Sequence, residues 1–389
     1  MNALTNARRV ITNLACSRGN LLVANDGTRY IDLFTNIASL PLGYNHPDLI
    51  RLMSQPEIVS MAINRPATNL FPPEQFLELL KETFPKISPH DHGYIWLGSS
   101  GSEAVEAAMK HCSRKRKSTN FLSFEGGFHG RTIGALSMTN TNPLWKQGFP
   151  QLPTLTAPFP TSDDVNDCVE RTRELISANH VAGVFIEPIQ CEGGDRMADP
   201  TFFRKIRALC TMYDIPFVVD EVQTNMGTGK MWAHDHWDLQ EPPDIVVFGK
   251  KMQIAGFFAA DHMQPPKSDE YAYNSTWAGD PFRGMILKSI LEIIERDNLY
   301  EISSRAGNKL FDRLRTMQGV QNVRNINAFG AFDLADSCTI GRDEFLKMLQ
   351  ASGLILGACG EKSIRVRPSL VFDEHIADSV IDILALRLS

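Results

Sequence analysis

A lysine pair follows a short apolar run in the segment Phe248-Gly249-Lys250-Lys251, and a lysine in this setting can act as a nucleophile. The run 245–248 is typical of a strand that is buried on both faces. Burial disfavours the charged ammonium, so a lysine at the end of such a strand offers a free amine that can attack a carbonyl carbon. The pattern suggests Schiff-base chemistry, although an exposed loop lysine is the commoner explanation for this segment taken alone.

An aspartate stands in the same position relative to another apolar run. Asp220 follows the run 215–219, and Gln223 comes three residues later. A carboxylate at a buried strand end can pair with the protonated ring nitrogen of a pyridine cofactor, which makes the ring a better electron sink. Capping a helix or turn is the commoner role for such an aspartate, so the segment alone leaves both roles open.

Serine and glycine precede a predicted helix in the segment Ser99-Ser100-Gly101-Ser102-Glu103. Glycine permits close approach of the backbone, and the first turn of a helix has free N–H groups at the positive end of the helix dipole. Such a segment can bind phosphate. By itself it is more often only a turn and a helix cap.

Three further segments carry charged and aromatic side chains next to glycine or proline. They span 124–132, 186–195 and 363–368, and their side chains of interest are Phe128, His129, Arg131, Glu187, Glu192 and Arg365. An aromatic ring can stack on a flat cofactor, and arginine can bind a carboxylate through two N–H groups. Six such segments in one chain, four of them at predicted strand ends, are hard to explain as caps and turns.

The chain alternates apolar runs with helical patterns in the part that contains most of these segments. The predicted strands are 94–97, 120–124, 181–189, 215–219 and 245–248, and helical stripes cover 104–112 and 202–213. This alternation predicts an α/β fold with a mostly parallel sheet and helices on both faces. In such folds ligands bind at the carboxyl ends of the strands, where the segments described above lie.

The C-terminal part has a different pattern, with predicted helices at 285–294, 345–349 and 376–388 and short strand-like pieces between them. We therefore expect a smaller α+β domain beside the large one. The predicted division assigns 1–45 and 281–389 to the small domain and 46–280 to the large, cofactor-binding domain.

Composition excludes several classes of protein. The chain has 389 residues and a net charge of −6, whereas nucleic-acid binders usually carry a basic surface. No apolar run approaches the length of a membrane span, so we expect no membrane association. The seven cysteines show no CxxC spacing, which favours a reducing compartment. We expect the cytoplasm, with the mitochondrial matrix as the alternative.

Together these segments resemble the class III (ω-amino acid) aminotransferases of pyridoxal-phosphate (PLP) fold type I. Further matches lie at 19–23, 43–47, 231–237 and Asn64-Arg65-Pro66-Ala67, so the resemblance covers nearly the whole chain. It is closest to the members that act on 4-aminobutyrate. The resemblance implies PLP as the cofactor, 2-oxoglutarate as the amino acceptor, and a homodimer with a shared active site.

The resemblance also implies a cofactor-binding set, which comprises Gly101, Ser102, Phe128, His129, Asp220, Gln223, Lys251 and Thr276. Lys251 rather than Lys250 aligns with the Schiff-base lysine, because its spacing to Gly256 fits. Asp220 would pair with the pyridine nitrogen and Gln223 would lie near the ring hydroxyl. Phe128 would stack on the ring, Gly101 and Ser102 would hold the phosphate, and Thr276 would reach the phosphate of the neighbouring subunit.

The implied substrate-binding residues are Ile37, Arg131, Glu187, Glu192 and Arg365. Arg131 would bind the carboxylate of the ω-amino substrate, and Arg365 would bind the α-carboxylate of glutamate and 2-oxoglutarate. Glu192 would neutralise Arg365 while 4-aminobutyrate is bound and swing away for the dicarboxylate. A movable carboxylate against an arginine lets one pocket accept both substrates.

The chain departs from the family pattern in several places, and two of them affect a metal site and a turn. Animal members carry a cysteine pair that ligates an iron-sulfur cluster, and Ser100 and Glu103 stand at those positions, so we expect neither a cluster nor another metal. The usual glycine-rich turn is replaced by Asn325 and Asn327. Asparagine tolerates left-handed backbone angles better than most residues, which would preserve the turn.

Other functions are compatible with the same residues. The Phe-Gly-Lys-Lys segment also resembles lysine 6-aminotransferases, and ornithine or β-alanine could be the amino donor. An aminomutase on the same fold would not need 2-oxoglutarate, and the Glu192 and Arg365 pair argues against it. A non-catalytic relative is the least favoured alternative, because Lys251 and Asp220 are both present.

Overall fold

Continuous apolar runs form the central strands of the protein, as a computed structural model shows. The structure describes residues 11–63, 72–91, 93–161, 164–266 and 272–388, so the matching segment at 64–67 lies outside the described residues. In chain order the strands are β1 Leu21–Val23, β2 Arg29–Asp32, β3 Gly93–Gly98, β4 Asn120–Phe124, β5 Thr154–Ala157, β6 Val181–Ile186, β7 Phe217–Asp220, β8 Ile245–Phe248, β9 Ala255–Ala260, β10 Val320–Ile326, β11 Phe329–Leu334, β12 Leu354–Ile355, β13 Gly357–Cys359 and β14 Ser363–Val366.

The largest sheet of the described residues has seven strands, in the order β3-β9-β8-β7-β6-β4-β5. Only β9 runs against the other six strands, so the prediction of a mostly parallel sheet is confirmed. Every residue of β6, β7 and β8 is buried, which explains why these strands are apolar without alternation.

The helices, in chain order, are α1 Thr35–Ala38, α2 Pro47–Met53, α3 Ile58–Ile63, α4 Glu74–Glu78, α5 Phe84–Ile87, α6 Gly101–Arg116, α7 Ile133–Met138, α8 Val165–Ala178, α9 Pro200–Met212, α10 Pro281–Arg296, α11 Leu299–Leu314, α12 Arg342–Ala351 and α13 Glu374–Leu388. The predicted helical stripes are found in α6, α9, α10, α12 and α13. α1 is a single left-handed turn.

Helices cover both faces of the large sheet because successive strand residues point in opposite directions. The Val218 side chain packs with α6 on one face, and its neighbours Phe217 and Val219 pack with α8 and α9 on the other. α10 covers the same sheet nearer to β9, against Val246 and Phe248.

Two small sheets lie outside the large one. β10, β11, β14 and β13 form an antiparallel sheet, and β12 joins the β1–β2 hairpin in parallel. The β10–β11 turn contains Asn327 with φ +54°, so asparagine does supply the left-handed residue there. The second sheet joins chain segments from near the two ends of the sequence.

One predicted strand is too long. The run 181–189 was expected to be strand throughout, but β6 ends at Ile186. Pro188 has no N–H group for a sheet ladder, so the chain leaves the sheet at this point. Glu187 and Ile189 then line the cavity described below.

No helix within the described ranges is both long and apolar enough to cross a lipid bilayer. The same residues bring together no group of three or more His, Cys, Asp or Glu side chains that could hold a metal ion. The expected absence of an iron-sulfur cluster stays a prediction.

The α9 face offers a direct test of this packing. Ile206 is fully buried in the cluster between α9 and the sheet, whereas Met212 on the same helix is 73% exposed. We expect I206A to lower the free energy of unfolding by about 2–5 kcal/mol, since it removes buried atoms and leaves a cavity. M212A is the matched control and should change it by less than about 0.5 kcal/mol in chemical denaturation. Equal effects would contradict the assigned packing.

Candidate active site

A cavity of about 340 Å³ opens where the parallel strands β6, β7 and β8 end. Its walls are formed by Asn36, Ile37, Ser100, Gly101, Ser102, Phe128, His129, Gly130, Arg131, Glu187, Ile189, Cys191, Glu192, Asp220, Val222, Gln223, Thr224 and Lys250. Ten of the thirteen predicted site residues are in this set. Lys251, Arg365 and Thr276 are not.

The N-terminus of α6 forms one wall. The Ser100 hydroxyl accepts a hydrogen bond from the Glu103 N–H at 3.3 Å, and the Glu103 carboxylate accepts one from the Ser99 N–H at 2.7 Å. This reciprocal cap satisfies two backbone donors. A Cβ atom at Gly101 would lie 2.6 Å from Val222, so the close approach of two loops requires glycine. The remaining first-turn N–H groups suit a phosphate.

Asp220 ends β7 with its carboxylate held from two sides. The Nδ1 atom of His129 lies 2.9 Å from Oδ2, and the Val222 N–H donates to Oδ1 at 3.1 Å. Asp220 and His129 are both buried. These contacts fix the direction of the carboxylate at the cavity wall, which suits it to a ring nitrogen.

The two lysines differ in position. Lys250 lines the cavity and adopts a left-handed φ of +48°, whereas Lys251 is 1% exposed and is not a lining residue. Burial, assisted by the Arg367 and Lys250 cations, lowers the pKa of Lys251 to about 7. Burial also lowers the pKa of Lys250, to about 8. Both amines are therefore much better nucleophiles at neutral pH than an exposed lysine.

Arg365 is covered by a carboxylate. Its Nη1 atom donates to Oε1 of Glu192 at 2.7 Å, and Glu192 forms part of the cavity wall. Burial raises the pKa of Glu192, but the Arg365 guanidinium more than offsets this and holds the pKa below its usual value. The Nε atom of Arg365 has no hydrogen-bond partner among the described residues. The pair thus keeps a buried cation neutralised next to the cavity.

Glu187 forms another part of the cavity wall. Its carboxylate accepts hydrogen bonds from the Phe128 N–H at 2.7 Å and the Cys191 N–H at 3.4 Å. Burial, together with the charge of Asp220, raises the pKa of Glu187 well above its usual value. Gln223 lies between the two arginines, with its Oε1 3.5 Å from Arg365 and 3.2 Å from Arg367.

The left-handed turn α1 brings Asn36 and Ile37 to the cavity. All four residues of the turn have positive φ, from 45° at Thr35 to 61° at Ala38, which costs roughly 1–2 kcal/mol per residue. The Thr35 hydroxyl donates to the Arg367 carbonyl at 2.6 Å, and Asp32 accepts from the Thr35 N–H at 2.9 Å. Tertiary hydrogen bonds therefore hold a conformation that the local sequence disfavours.

Arg367 was not predicted as a site residue, yet it organises this region. It is fully buried and forms a bidentate ion pair with Asp195, with Nη1 2.8 Å from Oδ2. Its guanidinium carbon also lies 3.6 Å from the ring centroid of Phe329. The Arg-Val-Arg spacing in the sequence could have indicated this role, because residues two apart in a strand point to the same side and Arg365 was already predicted.

Thr276 lies away from the cavity and is exposed. Its proposed contact is with another subunit, so this position leaves that role a prediction. Within the single chain, the helix N-terminus, the strand-end carboxylate, an aromatic ring and Lys250 line one cavity, and the buried Lys251 is the next residue in the chain. This donor set fits a flat, phosphate-bearing aldehyde such as PLP.

The class III aminotransferase family matches residues 4–388 of the chain. The mitochondrial 4-aminobutyrate aminotransferase of Mus musculus is 36% identical over an alignment of 436 positions, which spans 99% of this chain and 86% of the relative. The chain belongs to the class III aminotransferases. A 4-aminobutyrate aminotransferase from Dictyostelium discoideum is also 36% identical, over 94% of this chain and 82% of the relative.

Solved structures agree with this class III assignment. The lysine aminotransferase of M. tuberculosis in its internal aldimine form has a TM-score of 0.88 and 30% identity, and the match covers 99% of this chain and 96% of that one. The predicted fold class is therefore confirmed. Class III enzymes depend on PLP, so the protein is a PLP-dependent aminotransferase.

The contribution of the buried Arg367–Asp195 ion pair to stability can be tested by removing one charge. We expect D195N to lower the free energy of unfolding by about 3–5 kcal/mol, because it leaves the Arg367 cation buried without its counter-ion. D199N is a suitable control: Asp199 is an exposed N-cap of α9, and asparagine caps helices equally well. Thermal and denaturant unfolding would measure both. A D195N protein as stable as D199N would contradict the stabilising role.

Proposed function

We propose that the protein transfers the amino group of 4-aminobutyrate to 2-oxoglutarate, giving succinic semialdehyde and glutamate. The observation that carries the proposal is the pairing of Glu192 with Arg365 at 2.7 Å beside a cavity that Arg131 also lines. Two arginines, one of them neutralised by a movable carboxylate, suit a monocarboxylate and a dicarboxylate in turn. The 36% identity to enzymes named for 4-aminobutyrate supports the same substrate.

In this proposal the cofactor supplies an aldehyde and an electron-accepting ring. Lys251 would hold the aldehyde through its Nζ atom, and once the substrate amine has displaced it, the freed Nζ would take up the proton from the substrate carbon that bears the amine. Positioned proton transfer of this kind contributes about 10²–10⁴-fold to the rate. Asp220, oriented by His129, keeps the ring nitrogen protonated. The first turn of α6, at Gly101 and Ser102, binds the phosphate.

The substrates use the arginines differently. Arg131 binds the carboxylate of 4-aminobutyrate while Glu192 neutralises Arg365, so no free cation faces the substrate's amine end. For 2-oxoglutarate, Glu192 swings away and Arg365 binds the α-carboxylate. Ile37 and Glu187 shape the space between. Ping-pong kinetics follow, because the two substrates occupy the same cavity in turn.

We also propose a homodimer in which Thr276 binds the phosphate in the neighbouring subunit. The exposure of Thr276, away from its own cavity, supports this arrangement. The division into a small domain (1–45 with 281–389) and a large one (46–280) is part of the same proposal. We propose the cytoplasm as the compartment, with the mitochondrial matrix as the alternative; the seven free cysteines suit either reducing compartment.

A second candidate donor is the 6-amino group of lysine. It is supported by the similarity to lysine aminotransferase, at 30% identity and a TM-score of 0.88. Lysine differs from 4-aminobutyrate in carrying a second ammonium group next to its carboxylate, so Arg131 would meet a different environment than with 4-aminobutyrate. Comparing the two donors at equal concentration separates the candidates.

The proposal predicts two separable half-reactions. With 4-aminobutyrate and no keto acid, the absorbance band of the lysine-bound cofactor should convert to that of pyridoxamine phosphate, and 2-oxoglutarate should reverse the change. Lysine, ornithine and β-alanine serve as comparison donors. A band that lysine converts and 4-aminobutyrate does not would reject the donor assignment, and turnover without any keto acid would indicate an aminomutase.

The neighbouring lysines provide a second test. Borohydride reduction of the holoenzyme followed by peptide mass spectrometry should place the cofactor on Lys251; K251A should lose it, whereas K250M should keep it. Because only the unprotonated amine reacts, the rate of PLP uptake by the apoenzyme should rise with pH up to about 7 and then level off. A label on Lys250, or a rate still rising at pH 9, would contradict the assignment.

A further inference from the structure

Arg131 has an aromatic setting that the proposed function does not explain. Its guanidinium carbon lies 4.6 Å from the ring centroid of Trp145 and 5.5 Å from that of Phe128. The two rings meet edge to face, with centroids 5.7 Å apart and planes at 82°. Arg131 itself is exposed, and no carboxylate within the described ranges forms an ion pair with it.

We infer that Trp145 is a specificity-determining residue, which holds the Arg131 guanidinium in place to receive the carboxylate of an ω-amino acid. The inference rests on the proposed role of Arg131 as the substrate's carboxylate partner. Nothing in the family resemblance or in the six sequence segments assigns a role to Trp145. It acts through Arg131, so it is a positioning residue and not a catalytic one.

The indole is suited to this task because it supplies attraction without hydrogen-bond acceptors. A cation near an aromatic face is attracted by the ring quadrupole, most strongly by that of tryptophan. A ring offers no carboxylate oxygen, so the N–H groups of Arg131 stay available for two parallel bonds to a ligand. An exposed arginine otherwise samples many side-chain rotamers, and substrate binding would have to overcome part of that entropy.

Trp145 is itself held firmly. It lies in the 3-10 turn Pro143–Lys146, which the Asn142 side chain caps by accepting from the Leu144 N–H at 3.0 Å. The Lys146 ammonium donates to the Ser137 carbonyl at 2.9 Å, near the end of α7. α7 begins directly after Arg131 and Thr132. This one short helix therefore connects Arg131 to the segment that carries the Trp145 ring.

Phe128 links this arrangement to the cofactor. Its backbone N–H is fixed by Glu187 at 2.7 Å, and its ring is the one proposed to stack on PLP. Trp145 therefore sets Arg131 relative to the cofactor ring, and with it the distance between a bound carboxylate and the reacting amine. The contact with the carboxylate distinguishes ω-amino acids from amines that have no carboxylate.

The expected effect is confined to ligands with a carboxylate. In the holoenzyme, W145A should raise the KM for 4-aminobutyrate and the inhibition constant of butyrate by about 3- to 10-fold, with a small change in kcat. The inhibition constant of butylamine, which lacks the carboxylate, should not change. W145F should recover part of the loss, since phenylalanine keeps a weaker aromatic face.

A double-mutant cycle separates this role from a general effect on folding. W145A should add nothing to the loss caused by R131Q, because the ring acts only through that guanidinium. L144A is the matched control: Leu144 is 66% exposed in the same turn, and its removal should leave all constants unchanged. The melting temperature of each variant reports on folding, and W145F keeps the test available if W145A is unstable.

The outcomes are distinct. If R131Q weakens butyrate but W145A does not, or if W145A and R131Q are additive, the inference about Trp145 is wrong while the role of Arg131 stands. If R131Q leaves butyrate and 4-aminobutyrate unaffected, the proposed function is wrong at this residue, and the inference fails with it. A loss of butylamine binding in W145A would point to a structural role only.

Discussion

The fully buried ion pair between Arg367 and Asp195 is the interaction on which the site region depends. The Arg367 side chain contacts the loop after β6 and Gln223 after β7. Its backbone carbonyl accepts a hydrogen bond from the left-handed turn α1, which follows β2. A buried pair often adds little net stability over an apolar equivalent, but each charge makes the other indispensable. Its main effect here is directional. Arg365, two residues earlier, contacts Glu192 in the same loop that carries Asp195.

Cations with different surroundings lie in and beside the cavity. Arg365 and Arg367 are buried and paired with carboxylates, whereas Arg131 is exposed and contacts rings. Burial, assisted by the Arg367 and Lys250 cations, lowers the pKa of Lys251 to about 7, so about half of this amine is unprotonated at neutral pH. The Arg367 cation that anchors this region thus also helps to lower the pKa of the lysine.

The sequence predicts much of this arrangement because strand ends and ligand sites coincide in parallel sheets. The strands at 120–124 and 245–248 have the bounds expected from their apolar runs. What it does not show are features that distant contacts impose. Thr35 and Ile37 are β-branched, so local preference opposes the left-handed turn that Asp32 and Arg367 enforce. Trp145 meets Arg131 only after a helix and a turn have folded. The sequence of the lysine pair 250–251 likewise does not reveal which amine faces the cavity.

The hydrogen bond from Thr35 to the Arg367 carbonyl joins residues 332 positions apart. On the ribosome, the large sheet can assemble once β9 has emerged, but the early wall of the cavity has no partner at that stage. Leu33 forms backbone hydrogen bonds with Ile355 and Arg367, and Ile31 forms one with Gly353, so these bonds form only late in synthesis. The cavity wall at Asn36 and Ile37 therefore reaches its final position only when translation is almost complete, although every residue of the predicted cofactor-binding set has been made by then.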